Sequence, residues 1–144
     1  MPVPYERVLA AVDLKAVAPQ VLGHAVALAR ASGAALRVVH VVYDLRDFTG
    51  VFLAEEGLPK LQAEMVRAGE RGLEELCQGV DYPLERRVLV GDPFIELMRE
   101  AEAYQPDLLV IGAHGVETYA HKVFGSTAHK VVNHARCSVL CVRA

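Results

Sequence analysis

The sequence has 144 residues, the length of one domain, and its 53% of hydrophobic residues is enough for a sizeable core. The formal net charge of −3 disfavours broad contact with nucleic acid or an anionic membrane. No apolar run approaches the roughly 20 residues of a membrane span, and the N-terminus lacks a signal-peptide pattern. Because the three cysteines suggest no disulfide framework, we expect a cytoplasmic protein.

The first part of the chain predicts two strands separated by a helix. Residues 7–12 form a continuous apolar run that ends at Asp13, as expected for a strand covered on both faces. Pro19 fits the first turn of a helix whose apolar period stops at Gly33. Residues 36–43 are rich in valine and predict the second strand.

Residues 44–59 are less regular and carry an apolar stretch between Gly50 and Gly57. A loop of this length in a compact domain is often a lid or a contact surface. A short extra helix packed on the core is the other interpretation, and the sequence leaves both open.

A helix with a charged face is predicted at 61–78, followed by the third strand at 84–90. Charged side chains inside a strand suit the edge of a sheet, because they discourage pairing with another chain. The third strand contains three such residues: Glu85, Arg86 and Arg87.

Both ends of the next helix are marked. Gly91 turns the chain, Asp92 is suited to cap the helix, and Pro93 fits its first position. Pro106 ends the helix. The helical period predicts a buried stripe made of Ile95, Met98 and Ala101.

The chain closes with a strand at 108–111, a loop, a helix at 126–135 and a strand at 138–142. This alternation predicts an α/β fold: a single-domain, open, parallel five-stranded sheet with helices on both faces. In strand order 3-2-1-4-5 the order reverses between strands one and four, where such sheets bind ligands. Asp13 and Gly112 would then flank the same crevice.

The loop after the fourth strand has the spacing Gly-x2-Gly-x9-Gly-Ser, formed by Gly112, Gly115, Gly125 and Ser126. Glycines let the backbone approach a phosphate, and the unpaired N–H groups of a helix start point at an anion. The pattern predicts a loop that holds the phosphates of a nucleotide; the alternative is that the glycines serve only turns and a cap. Neither a Walker P-loop nor the dinucleotide fingerprint is present.

This glycine pattern, with Asp13 after the first strand and Cys-Ser-Val-Leu-Cys-Val-Arg at 137–143, resembles the ATP-binding branch of the universal stress protein family. The likeness covers the whole chain and includes Val39-His40-Val41 and the Gly-Asp-Pro at 91–93. It implies the same five-stranded, adenine nucleotide alpha hydrolase-like fold.

The resemblance also implies ATP as the ligand. Asp13 and the backbone of Val41 would contact the adenosine end, and the glycine loop would contact ribose and phosphates. Asp13 is also the candidate ligand for a divalent cation, Mg²⁺ or Mn²⁺, bound with ATP. His114 stands where the family often has a basic residue. The full set implied for nucleotide binding is Ala11, Val12, Asp13, Val41, Gly91, Gly112, His114, Gly115, Gly125, Ser126 and Thr127.

Several of these residues have simpler interpretations. Asp13 is also placed to cap the first helix, and Ser126 to cap the last one. His121 and Lys122 either supply positive charge to the phosphates or belong to a solvated loop. The histidines lack zinc-ligand spacing, and Cys77 is predicted to be a small buried residue.

Hydrolysis of ATP needs a positioned water, a base and charge stabilisation at the γ-phosphate. The loop contains no obvious base or arginine finger. We therefore expect a regulatory, stress-response protein that binds ATP and is at most a weak ATPase. Two alternatives are a nucleotide-cleaving or adenylyl-transfer enzyme on a related fold, and an interaction module with an empty pocket.

The last strand, within residues 137–142, carries no charge before Arg143. An apolar edge without charge invites pairing with another chain. The sequence predicts a two-fold homodimer in which this strand meets its own copy antiparallel and buries Val139 and Cys141. The family likeness implies the same contact. The alternative is that residues 44–58 cover this edge.

Overall fold

A computed structural model describes residues 4–48, 57–113 and 125–143. These residues contain a five-stranded sheet in the order β3-β2-β1-β4-β5, and each pair of neighbouring strands is parallel, as predicted. The strands are β1 (Arg7–Ala11), β2 (Ala35–Val42), β3 (Glu85–Val90), β4 (Leu108–Gly112) and β5 (Ser138–Val142). The helices are α1 (Ala18–Ser32), α2 (Leu58–Cys77), α3 (Pro93–Tyr104) and α4 (Ser126–His134).

Helices cover both faces of the sheet, and the alternation of side chains along β1 shows how. Val8 and Ala10 lie in one core layer with buried residues of α1 and α2. Leu9 points the other way and packs with Leu97 of α3 and Val131 of α4. Because successive side chains of a strand face opposite sides, a continuous apolar run is what a doubly covered strand requires.

The segment after β2 contains a short helix, one of the two interpretations that the sequence left open. Leu45–Phe48 form a 3₁₀ helix, whose first amide, on Leu45, donates to Oε1 of Gln62 at 2.8 Å. Nε2 of Gln62 donates to the carbonyl of Tyr43 at 3.1 Å. The α2 helix begins at Leu58, earlier than predicted, because Pro59 fits its first turn. Residues 49–56 lie outside the described part.

The predicted start of α3 is confirmed. Asp92 accepts a hydrogen bond on Oδ1 from the Ile95 amide at 3.0 Å, and Pro93 is the first helical residue. The side chain of Asp92 thus satisfies one of the amides that a helix start leaves unpaired.

The predicted buried stripe of α3 was wrong at Ile95, which is 48% exposed. Two adjacent apolar residues, Phe94 and Ile95, leave the helical phase ambiguous by one position. The structure buries the phase set by Phe94 and Leu97, and the Phe94 ring packs edge-on against His134 with centroids 5.4 Å apart. Two residues of the predicted stripe are partly buried in this layer, namely Met98 and Ala101.

An ion cluster lies between α3 and the sheet around Glu100, which is only 5% exposed. Nη1 of Arg37 lies 2.7 Å from its Oε1, and Nη1 of Arg87 lies 2.9 Å from the same atom. Arg37 also contacts Glu85 at 3.2 Å. Burial opposes the charge on Arg37, but the hydrogen bond to Glu100 and the charge of Glu85 outweigh it and raise the Arg37 pKa. Two of the charges predicted to protect β3 at the sheet edge therefore have a second role: Glu85 joins β3 to β2, and Arg87 joins β3 to α3.

Replacing Glu100 with alanine should lower the free energy of unfolding by about 3 kcal/mol, because the largely buried Arg37 would lose its closer counterion and keep only Glu85. We expect the low end of the usual range for a broken buried pair, since the Arg87 side chain is 48% exposed. Urea unfolding monitored by circular dichroism measures the change. Glu102→Ala on the exposed side of the same helix is the control, and an equal effect of the two substitutions would contradict a stabilising role for the cluster.

Candidate functional site

The candidate site lies where the strand order reverses. β1 pairs with β2 on one side and β4 on the other, and Ala10 lies beside Val110. Both strands run in the same direction, so Asp13, shortly after β1, and Gly112, the last residue of β4, lie at the same end of the sheet. Open parallel sheets bind ligands at such a point, because the flanking connections leave on opposite faces and open a crevice.

Asp13 holds the turn after β1 and does not cap α1. Its Oδ1 accepts a hydrogen bond from the Lys15 amide at 2.9 Å. The α1 helix begins only at Ala18, and its N-cap residue is Val17, which makes no capping hydrogen bond with its side chain. Asp13 is exposed, so its carboxylate is accessible from the crevice.

The turn that carries Asp13 is fastened by residues for which sequence reasoning proposed no role. Nδ1 of His40 donates to the Val12 carbonyl at 2.8 Å. Leu14 has a φ of 61°, and a Cβ added at Gly72 of α2 would lie 2.7 Å from its Cδ1. The available signal was a glycine inside a helix, which often marks a close approach.

Val41 and Gly91 lie at the ends of the neighbouring strands β2 and β3. The Gly91 amide donates to the Val42 carbonyl at 2.9 Å, so β2 and β3 stay together up to this point. Gly91 has a φ of 149°, and a Cβ there would lie 2.6 Å from Cγ of Glu96. The backbone conformation therefore favours glycine at 91, and a side chain there would also have to displace the side chain of Glu96. Its contact with a nucleotide stays a prediction.

A hydrogen bond joins the two described ends of the glycine loop. The Gly125 amide donates to the Ala113 carbonyl at 2.9 Å, and the Ala113 amide donates to the Val142 carbonyl at 2.9 Å. The start of α4 is thereby fixed beside Gly112 at the end of β4. The predicted residues His114, Gly115, His121 and Lys122 lie outside the described residues.

Among the described residues, no side chain caps the start of α4. Gly125 is the N-cap residue and Ser126 is the first helical residue, so the interpretation of Ser126 as the cap is wrong. The Gly125 carbonyl accepts the first hydrogen bond of this helix, from the His129 amide at 3.0 Å. The amides of Ser126 and Thr127 precede that bond, and amides at this position of a helix bind anions.

Burial raises the pKa of all three cysteine thiols: Cys77, Cys137 and Cys141. Thiols of this kind are weak nucleophiles at neutral pH. Cys77 is 8% exposed, which confirms its predicted burial. In the described ranges, His, Cys, Asp and Glu side chains form no group of three that could hold a metal ion. None of the helices in those ranges is both long and apolar enough to cross a membrane.

The fold and the crevice define an open α/β protein with a candidate ligand site at its switch point. The profile of the universal stress protein family matches residues 4–143. The universal stress protein A homolog of Haemophilus influenzae is 30% identical over 140 residues, which is 96% of this chain and 96% of that protein. The chain belongs to the universal stress protein family.

Solved structures share this fold. The universal stress protein UspA from Lactobacillus plantarum superposes with a TM-score of 0.79 at 24% identity, covering 99% of this chain and 100% of that one. The universal stress protein from Archaeoglobus fulgidus in complex with dAMP gives a TM-score of 0.61 at 24% identity. That superposition covers 98% of this chain and 100% of the other. The fold implied by the family resemblance is thereby confirmed.

Asp13→Ala should change the free energy of unfolding of the nucleotide-free protein by less than about 0.5 kcal/mol, because an exposed carboxylate with one local hydrogen bond contributes little. Asp92→Ala is the matched control: it removes the cap of α3 and should lower the free energy by about 1 kcal/mol. Urea unfolding of the two variants side by side gives the comparison. A larger loss for Asp13→Ala than for Asp92→Ala would assign Asp13 a mainly structural role.

Proposed function

We propose that this protein binds an adenine nucleotide, with ATP as the preferred ligand, and acts as a regulatory protein in a stress response. The observation that carries the proposal is the hydrogen bond from the Gly125 amide to the Ala113 carbonyl. It holds the uncapped start of α4 next to the end of β4, at the switch point of the sheet. The dAMP complex of a relative with the same fold supports an adenine nucleotide as the ligand class.

In the proposed complex the phosphates lie on the amides of Ser126 and Thr127, where the partial positive charge of a helix start favours an anion. Gly112 and Gly115 let the backbone approach the ligand. The adenosine end lies toward Asp13 and the backbone of Val41. The remaining proposed contacts are Ala11, Val12, Gly91 and His114.

A divalent cation, Mg²⁺ or Mn²⁺, fits Asp13, because carboxylate oxygens are ligands that both ions accept. One oxygen of Asp13 already accepts from the Lys15 amide at 2.9 Å, which orients the carboxylate. A carboxylate that ligates this cation is occupied, and the glycine loop at 112–127 contains no arginine to stabilise the charge that develops at the γ-phosphate. We therefore propose that ATP is bound with little or slow hydrolysis.

Gly125→Val should weaken ATP binding by at least about tenfold, which corresponds to about 1.4 kcal/mol, because a branched side chain would stand where the phosphates approach. Gly125 has φ −63° and ψ 160°, a conformation that valine adopts readily, so the fold should tolerate the change. Isothermal titration calorimetry with ATP and Mg²⁺ measures the affinity. Unchanged affinity for ATP in a folded variant would contradict the proposed position of the phosphates.

We further propose that the protein forms a homodimer through β5. The Val142 carbonyl accepts from Ala113 on the β4 side, so its backbone groups point toward β4. Because the direction alternates along a strand, the backbone groups of Val139 and Cys141 point toward the open edge. β5 stands at the end of the strand order, so this edge has no neighbouring strand among the described residues. These donors and acceptors suit an antiparallel copy of the same strand.

An exposed apolar residue on α4 supports the proposal that the surface around β5 is the dimer interface. Lys130 and His134 both contact the Phe94 ring of α3. Val132 stands midway between them in sequence, and at about 100° per residue it lies on the opposite flank of α4, toward the β5 edge. Val132 is 44% exposed.

The alternative cover for this edge was residues 44–58. Their described parts lie beside β2 and α2, held by the hydrogen bonds of Gln62 to Tyr43 and Leu45. β1 and β4 separate β2 from β5 in the sheet. The described residues of 44–58 therefore favour an uncovered β5 edge.

Val132→Lys should shift the dimer toward monomer, because it places two like charges near the two-fold axis. Sedimentation velocity at micromolar concentration measures the fractions of monomer and dimer in the wild type and the variant. Ile95→Lys is the matched control, since Ile95 is 48% exposed on α3 but lies away from β5. Val142 is unsuitable for this test because it is 5% exposed and belongs to the core. A monomeric wild type would contradict the proposed assembly.

A further inference from the structure

Two interior glycines of α2 lie against the residues that shape the crevice. A Cβ added at Gly69 would lie 3.3 Å from Cδ2 of His40, and one added at Gly72 would lie 2.7 Å from Cδ1 of Leu14. By contrast, a Cβ at Gly23 of α1 would meet nothing within 4 Å. Glycine weakens a helix interior, so its presence twice on one face of α2 fits a close approach of the helix to β2 and to the turn after β1.

His40 fixes the direction in which β1 leaves the sheet. Its Nδ1 is 2.8 Å from the Val12 carbonyl, and since a carbonyl only accepts, Nδ1 carries the proton. The Val12 amide donates to the Val39 carbonyl at 3.0 Å. Both backbone groups of Val12 are thus bound to β2, and Asp13 is the next residue.

Leu14, the residue after Asp13, has an unfavourable backbone conformation. A φ of 61° is rare for leucine, because its Cβ crowds the backbone there. The side chain of Leu14 packs onto Gly72, and the Asp13 carboxylate accepts from the Lys15 amide within the same turn. Strained residues of this kind persist where the surroundings over-determine them, and they concentrate at ligand sites.

We propose that His40 and Leu14 are positioning residues, which hold residues 12–15 in the conformation that receives the nucleotide and so set the place of the Asp13 carboxylate. The inference rests on the proposed nucleotide binding. If the turn were free, nucleotide binding would have to order it. The apparent association constant would then equal the intrinsic constant multiplied by the fraction of molecules whose turn is already ordered. His40 reaches Asp13 only through the Val12 backbone, so its action is indirect.

The test compares two replacements of His40 by calorimetric titration with ATP and Mg²⁺. His40→Leu removes the donor to Val12 and should weaken binding by at least about tenfold. His40→Asn keeps an N–H donor at that position and should bind within about threefold of wild type. The control is His24→Leu on the exposed side of α1, which should bind like wild type.

A second measurement separates positioning from general stabilisation. The Lys15 amide donates a hydrogen bond to the Asp13 carboxylate. Hydrogen exchange of this amide should be faster than in wild type in nucleotide-free His40→Leu, and as slow as in wild type in His40→Asn. Amides of β4 should be unaffected in both variants. Uniformly faster exchange across the sheet would show a stability defect and overturn the positioning role.

If His40→Leu does not fold, the Leu14→Gly variant provides an alternative test. Glycine accepts the positive φ, so the turn loses its packing on Gly72 without any added strain. We expect ATP binding at least about fivefold weaker in a folded protein. Normal binding of ATP by wild type and by the folded variants would overturn this inference alone. A wild type that binds no ATP would overturn the proposed function and this inference together.

Discussion

The architecture depends on the burial of β1 between two strands and two helical layers. Val8, Leu9 and Ala10 have no exposed surface, and β1 pairs in parallel on both sides. The fully buried positions of such a strand, here 8–10, are apolar, so an acidic residue can stand only beyond them. Asp13 is that residue, and the strand order reverses beside it. Burial of the central strand therefore places the first carboxylate after β1 at the switch point of the sheet.

The sequence was sufficient for the strands and the cap of α3, because these features depend on local patterns, whereas the strand order came with the family resemblance. Continuous apolar runs indicate doubly covered strands, and Asp92-Pro93 indicates a helix start whatever surrounds it. Two features depended on distant partners and could not be predicted. Glu100 is buried only because Arg37 and Arg87 come from two separate strands. The phase of α3 depends on contact between Phe94 and α4, which no local pattern reveals.

The candidate site shows the same division. Asp13, Gly112 and Gly125 were predicted from their positions after strands and before a helix, and the structure brings them to one end of the sheet. The residues that shape the turn at Asp13 were not predicted. Their contacts join His40 to Val12 across 28 positions of the chain. The only sign of these contacts in the sequence is a pair of glycines inside α2. The residues that pack against them can be identified only from the folded structure.

The two helix starts on the same face of the sheet differ in a way that bears on ligand binding. At α3 the carboxylate of Asp92 accepts from the Ile95 amide, so one of the unpaired amides of that helix start is satisfied within the protein. At α4 the corresponding residue is Gly125, which has no side chain to offer. A carboxylate at position 125 would stabilise the helix but would repel a phosphate from the same amides. Glycine at the α4 start therefore forgoes the stability of a side-chain cap, as the proposed phosphate site requires, and the bond to Ala113 holds this helix start beside the end of β4.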